Sequence, residues 1–211
     1  MEELDYINRY LGGHDVTLCG LSRVLNYYTP SKGQITVVEI GCGGGNNLYA
    51  IKEWSQKNNR QIELTGIDIN PECINYAKQQ QRNLGINFIT SDYKNVVFQK
   101  QPDIIFSSLF CHHFTDEELI SMLKWMKINT RFGFFINDLH RHPLAYFSIK
   151  WLTSFFSKSY LVKNDAPLSV LRGFREEDWK QLFTKAGIDH YTHKWKWAFR
   201  WLITCNTNGG W

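Results

Sequence analysis

Val37-Val38-Glu39-Ile40-Gly41-Cys42-Gly43-Gly44-Gly45 is the stretch that decides the fold of this 211-residue chain. An apolar run ends in an acid and then in alternating glycines. A helix-compatible stretch follows from Asn46, and a second apolar run closes with Gly66-Ile67-Asp68-Ile69-Asn70. Strand, glycine turn, helix, strand, acid is the order that places a nucleoside-bearing ligand at the carboxyl edge of a parallel sheet. The glycines let the backbone turn tightly and approach a ligand with no Cβ in the way. Pyrophosphate would normally fill such a gap at a helix N-terminus. Glu39, just ahead of the first glycine, would set a negative charge beside phosphate. It suits a cationic ligand that carries an ammonium and a sulfonium. Asp68, at the tip of the second strand, can accept both hydroxyls of a ribose.

Working outward, strands and helices alternate. Strands are expected over Ile35–Ile40, Ile62–Ile67, Ile86–Ile89, Asp103–Ser108 and Arg131–Ile136. Helices are expected over Asn46–Asn58, from Asn70-Pro71 to about Leu84, and over Thr115–Ile128. Asn70 is a good N-cap and Pro71 a favoured first-turn residue. The order implies an α/β, Rossmann-like three-layer sandwich whose mostly parallel sheet is covered on both faces. Ile188–Trp197 and Ala198–Cys205 read as an antiparallel C-terminal hairpin that completes a seven-stranded sheet, after a helix over Glu176–Ala186 closed by Gly187. The expected organisation is a single domain over 1–211, with an N-terminal helical cap over 1–30, broken at Leu11-Gly12-Gly13-His14, and a turn over Thr29–Gly33. The aromatic-rich segment from Pro143 carries Leu144, Phe147, Trp151 and Phe155 at helical spacing. Such a stripe usually packs into the core. Its position between sheet elements also allows a helical lid over 140–172.

Composition narrows the class. At 43% hydrophobic and 21% charged, the chain reads as an ordinary globular protein with a substantial core. No apolar run approaches the ~20 residues of a membrane span, so stable membrane insertion is not expected. The acidic start Met1-Glu2-Glu3 lacks the order of a signal peptide, and the five scattered cysteines form no Cys-x-x-Cys pair; a reduced, cytoplasmic protein is the expectation. The net charge of +4 is uneven, because Arg141 to Arg200 holds eleven Lys/Arg against five Asp/Glu. That excess suits a solvated basic face or an anionic substrate. No basic run is interleaved with stacking aromatics, so nucleic acid is not expected as a partner.

The motif Glu39-Ile40-Gly41-Cys42-Gly43-Gly44-Gly45 resembles the first motif of the class I S-adenosylmethionine-dependent methyltransferases. Gly66-Ile67-Asp68-Ile69 looks like their ribose-binding acidic tip, and Ser91-Asp92-Tyr93 like the loop that meets adenine. Ser107-Ser108-Leu109-Phe110 stands where that family lines the sulfonium. The resemblance implies S-adenosyl-L-methionine as cofactor. The implied cofactor-binding residues are Glu39, Gly41, Cys42, Gly43, Asn47, Asp68, Ile69, Asp92, Tyr93, Ser108 and Leu109. Asn46 and Asn47 could equally just begin a helix. Ile7–His14 and Asp165–Phe174 are similar to a bacterial subgroup of small-molecule methyltransferases.

Methyl transfer from a sulfonium is an in-line displacement, so the protein supplies alignment and a dry pocket. A hydroxyl acceptor also needs a base. Cys111-His112-His113-Phe114 follows the fourth strand, and His113 or His112 is the candidate. Asp138-Leu139-His140-Arg141-His142 follows the fifth strand beside it; this loop could add a base and an Arg, whereas convergence on a metal is the weaker expectation and no metal ligand is assigned. Tyr10, His14 and Arg23 could fold across the cofactor mouth, and Arg172 and Arg175 could bind an anionic substrate or simply charge the start of the Glu176 helix. The sequence thus predicts methyl transfer to a small organic acceptor, at oxygen of an aromatic or apolar metabolite, by a monomer or homodimer. The alternatives are a non-catalytic cofactor-binding module and an RNA or protein methyltransferase; neither an Asn-Pro-Pro-Tyr-like motif nor an added binding domain supports the last.

Overall fold

The computed structural model describes residues 8, 10–26, 33–156 and 160–207. The expected turn at 29–32, the start of the cap and the terminal residues lie outside that set. One seven-stranded sheet organises the molecule: β1 (Ile35–Ile40), β2 (Ile62–Asp68), β3 (Asn87–Thr90), β4 (Ile104–Ser108), β5 (Gly133–Leu139), β6 (Tyr191–Lys196) and β7 (Arg200–Asn206). Their spatial order is β3-β2-β1-β4-β5-β7-β6. Only β7 breaks the parallel run, pairing antiparallel with both β5 and β6. The carboxyl ends of β1, β2, β4 and β5 therefore share one edge, and β7 begins at that same edge.

Both faces are covered. β1 and β4 are buried on both sides, with apolar residues over most of β1 and over the first three positions of β4. One face packs α1 (Gly13–Asn26) and α2 (Asn46–Lys57) over Val37, Phe106 and Phe135. The other packs α4 (Asp116–Asn129) and α7 (Glu176–Ala186) over Ile105, Phe134 and Ile203, with Trp179 and Phe183 at its centre. α4 starts with a capping box, in which Thr115 N donates to Glu118 Oε2 at 2.9 Å and Glu118 N to Thr115 Oγ1 at 3.4 Å. Asn70 caps α3 (Pro71–Gln79) by accepting from Glu72 N at 2.9 Å. This helix stops earlier than the sequence predicts; a 3₁₀ turn over Gln81–Asn83 takes its place before β3.

The aromatic segment forms two helices, α5 (Pro143–Phe156) and α6 (Tyr160–Arg172). The expectation that Leu144, Phe147, Trp151 and Phe155 pack inward is overturned, since they are 61–68% exposed. The small face, Ala145, Ile149 and Thr153, is the buried one and meets Val170 of α6 together with Leu11 and Phe199. Smaller residues let α5 lie close to its neighbours, whereas periodicity alone does not say which of two apolar faces turns inward. Among the described residues no helix is long and apolar enough to cross a membrane.

Candidate functional site

The glycine turn after β1 holds three residues with positive φ, Gly41 (69°), Gly43 (50°) and Gly45 (77°). At Gly41 a Cβ would sit 2.2 Å from the Phe110 ring, so this residue has no room for a side chain. At Gly43 a Cβ would meet nothing within 4 Å, which leaves backbone facing open space at the sheet edge. Gly41 N and Cys42 N both donate to Ile67 O, at 2.8 and 3.1 Å, and lock the turn onto β2. Asp68 accepts from Gly43 N at 2.8 Å and from Asn70 N at 2.9 Å. Each of its carboxylate oxygens keeps a lone pair for a further donor. Ile69 follows it, 69% exposed.

Glu39 lies beneath this turn and is 1% exposed. Asn47 Nδ2 donates to its Oε1 at 2.9 Å, while Oε2 has no partner among the described residues. Burial pushes its carboxyl well above the usual carboxylate range, the Asn47 bond opposes that, and the charge of Asp68 adds to it. Asn47 Oδ1 in turn accepts from Thr17 Oγ1 at 3.3 Å. Asn137 Nδ2 lies 3.2 Å from Thr17 Oγ1, 3.2 Å from Ser108 Oγ and 3.0 Å from the Gly13 carbonyl. A buried polar chain thus runs from β1 through α2 and α1 to β5. Asn47 is buried and bonds Glu39 on one side and Thr17 on the other.

Two of the sequence-assigned residues have buried side chains. Cys42 is buried, with its Sγ against Gly66, and burial drives its thiol pKa upward. The Tyr93 ring is buried edge-on against Trp125, at 5.0 Å between centroids, and belongs to the core. Asp92 caps the short turn over Tyr93–Asn95, accepting from Lys94 N at 3.0 Å. Leu109 holds φ at 53°, a left-handed conformation that costs a non-glycine residue about 1 kcal/mol, and bends the chain sharply off β4. Its N–H donates to Asn137 O at 2.9 Å.

Beyond Leu109, Asp138 gathers the β4 loop. It is fully buried and accepts from Cys111 N at 2.7 Å, Phe110 N at 3.1 Å and Leu139 N at 2.7 Å, and its Oδ1 lies 2.7 Å from His112 Nδ1. Burial alone would raise the Asp138 pKa; the His112 charge and these hydrogen bonds outweigh it, and the net shift is downward. Facing the ionised Asp138 carboxylate, Nδ1 of His112 carries a proton, which leaves Nε2 as the position where the ring can gain or lose one. His113 stacks obliquely on His112 at 4.2 Å, and its pKa is lowered by burial and then by the His112 charge. Among the described residues no group of three or more His, Cys, Asp and Glu is placed to hold a metal ion. Cys111 lies 3.5 Å from Ser107 Oγ instead. His140 and His142 join Phe199 and Trp201 in an aromatic cluster at the start of β7. Arg141 pairs with Asp178 at 2.6 Å.

Other expectations are redrawn. α1 begins at the site with Gly13 but carries Arg23 in its last turn, about 15 Å away at 1.5 Å per residue, so Arg23 does not reach the mouth. Arg172 and Arg175 are exposed, and Arg175 stands at the N-cap of α7. Thr17, Asn137 and Arg200 carry no motif and were not anticipated; only an unusual count of polar residues in otherwise apolar elements marks them.

Residues 37–133 match the family model for a methyltransferase domain. A malonyl-[acyl-carrier protein] O-methyltransferase of Ilyobacter polytropus is 34% identical over 79 residues, which make up 37% of this chain and 28% of that protein. The plantazolicin methyltransferase in complex with S-adenosylhomocysteine superposes with a TM-score of 0.62 at 25% identity, covering 89% of this chain and 67% of that one. The magnesium protoporphyrin IX methyltransferase of Synechocystis with bound S-adenosylmethionine shares the fold at 12% identity, with a TM-score of 0.61 over 96% of this chain and 83% of that one.

Proposed function

We propose, from the premise that the chain belongs to the class I S-adenosylmethionine-dependent methyltransferases, that it transfers a methyl group from S-adenosylmethionine to oxygen of a small aromatic or apolar metabolite. The observation that carries this reading is the open backbone at Gly43, which bonds Asp68, in the turn above Glu39, whose Oε2 has no partner among the described residues. These groups fit the cofactor: Asp68 would hold the ribose hydroxyls, Glu39 the ammonium, Ile69 and Asp92 the adenine side, and the Ser108–Leu109 bend the region around sulfur. The cofactor supplies a methyl group already activated by its sulfonium. This chain's part is to align the acceptor, exclude water and take a proton.

His112 Nε2 is the proposed base for a hydroxyl, with Asp138 fixing the tautomer and stabilising the charge that develops on the ring. His113, exposed beside it, is the second candidate. The flat surfaces of His142 and Phe199 favour a planar acceptor. The oxygen specificity named for the Ilyobacter relative supports the same choice of atom. Calorimetry with S-adenosylmethionine and S-adenosylhomocysteine tests the first half of the reading, and absence of binding sinks it. Methyl transfer to a panel of phenols and carboxylic acids, followed by mass spectrometry, tests the second; methylation confined to amines would move the reaction to nitrogen.

A further inference from the structure

Arg200 opens β7 opposite Leu139 of β5, at the carboxyl edge of the sheet, and is 3% exposed. A buried guanidinium normally forks onto a carboxylate. Here Nη2 donates to Asn8 Oδ1 at 2.8 Å, while Nε and Nη1 have no partner among the described residues. Asp138 is the nearby anion, but its oxygens are engaged by Phe110 N, Cys111 N, Leu139 N and His112 Nδ1. Burial lowers the Arg200 pKa to about 10, with the Asp138 charge holding it up, so the group remains a cation at neutral pH. An uncompensated buried cation costs several kcal/mol. Two donors without a partner among the described residues are therefore a cost that a bound anion would offset.

The place of Arg200 says which ligand. Glu39 and Arg200 lie on the α1 face of the sheet, with β4 and β5 between them. Three strand spacings of ~4.8 Å separate β1 from β7, about 14 Å. Asn47, Thr17 and Asn137 stand between the two charges. An ammonium and a carboxylate that share one carbon, as in the methionine moiety of the cofactor, cannot span that gap. The cation therefore serves the other substrate, beside the His142–Phe199 stack. Asn8, whose amide lies where a Cβ on Gly13 would sit, covers it with a neutral oxygen that an anion displaces.

We propose that Arg200 is the anchor of an acceptor subsite for a carboxylate, so that the methyl acceptor is an organic acid. The proposal rests on the methyltransferase reading and names its substrate class. With Asn8 displaced, the fork of Nε and Nη2 would take the two carboxylate oxygens in parallel.

The test uses the full chain with S-adenosylhomocysteine and three probes, benzoate, indole-3-carboxylate and octanoate, each beside its neutral amide. The wild type is expected to bind at least one acid in preference to its amide. Arg200→Met should weaken that binding about 10- to 100-fold, the effect of losing hydrogen bonds to a charged group. Arg200→Lys should restore part of it. Affinity for S-adenosylhomocysteine should stay within about two-fold in both variants, because the sites are more than 10 Å apart. Unliganded Arg200→Met should melt no lower than wild type, which a purely structural cation would not allow. Equal binding of acids and amides, undiminished binding by Arg200→Met, a lower melting temperature of that variant, a response to inorganic phosphate alone, or no response to any probe overturns the proposal. Failure of the wild type to bind S-adenosylhomocysteine counts against the methyltransferase reading instead.

Discussion

Two buried carboxylates separate site chemistry from stability at the level of single residues. Asp138 has a folded pKa below its ordinary value. Its ionised form therefore adds stability above the unfolded value of about 3.9, and that stability is lost as pH falls through the folded value. In urea unfolding below about pH 4, Asp138→Asn should flatten the acid-side decline shown by wild type. Glu39 has the opposite sign. Its folded pKa is raised by burial, so from about pH 4.3 upward the folded state holds the extra proton and stability falls as pH rises toward the folded value. Glu39→Gln keeps an oxygen for Asn47 and removes that loss. The unliganded variant should be at least as stable as wild type at neutral pH, with affinity for S-adenosylhomocysteine about 10- to 100-fold weaker by calorimetry. A variant that is both less stable and equally tight would sink the assigned role. His112→Ala should lower kcat for a hydroxyl acceptor about 100-fold or more with little change in KM, and His113→Ala should cost less; equal turnover in both variants removes the base assignment.

Secondary-structure elements were legible where chemistry is local. The glycine spacing gave the turn, and the acid at the tip of β2 gave Asp68. Thr115 with Glu118 gave the start of α4, and Gly187 the end of α7. What was not legible depends on pairs distant in sequence: Asn47 engages Glu39, and Asn137 reaches back to Thr17 and Gly13. The apolar stripe of α5 was misassigned because a helix with two apolar faces offers periodicity to both. That outcome is checkable. Phe147→Ser with Trp151→Ser should change unfolding free energy by no more than about 0.5 kcal/mol each, as exposed positions do, while Ile149→Ala should cost about 2 kcal/mol or more. The glycine turn offers a sharper contrast. Gly41→Ala must move the Phe110 ring as well as strain φ, and should lower both stability and ligand affinity. Gly43→Ala has open space around its Cβ; it should cost about 1 kcal/mol of backbone strain, with the larger effect on S-adenosylhomocysteine affinity.

Across the whole molecule, α1 ties the sheet edge together. Its N-terminal end contributes the Gly13 carbonyl and Thr17 to a buried chain that starts at Glu39 Oε1 and passes through Asn47 and Asn137 toward the Arg200 end of the edge. A ligand that satisfies Glu39 should therefore stabilise more than the glycine turn. At a hundred-fold excess over Kd, S-adenosylhomocysteine should add about 2.7 kcal/mol to the unfolding free energy. For a chain of this size each kcal/mol is about 2–4 °C in Tm. Thr17→Val tests whether the chain transmits that gain. It removes a hydroxyl that bridges Asn47 and Asn137 and leaves the buried Asn47 Oδ1 without its donor, while Asn137 keeps the Gly13 carbonyl and Ser108, at a cost of about 1–3 kcal/mol. If α1 holds Asn47, and through it Glu39, in register for the ligand, the variant should also lose part of the ligand-induced rise in Tm. A full rise on a lowered baseline would mean that Asn47 positions Glu39 unaided and that α1 contributes to stability alone.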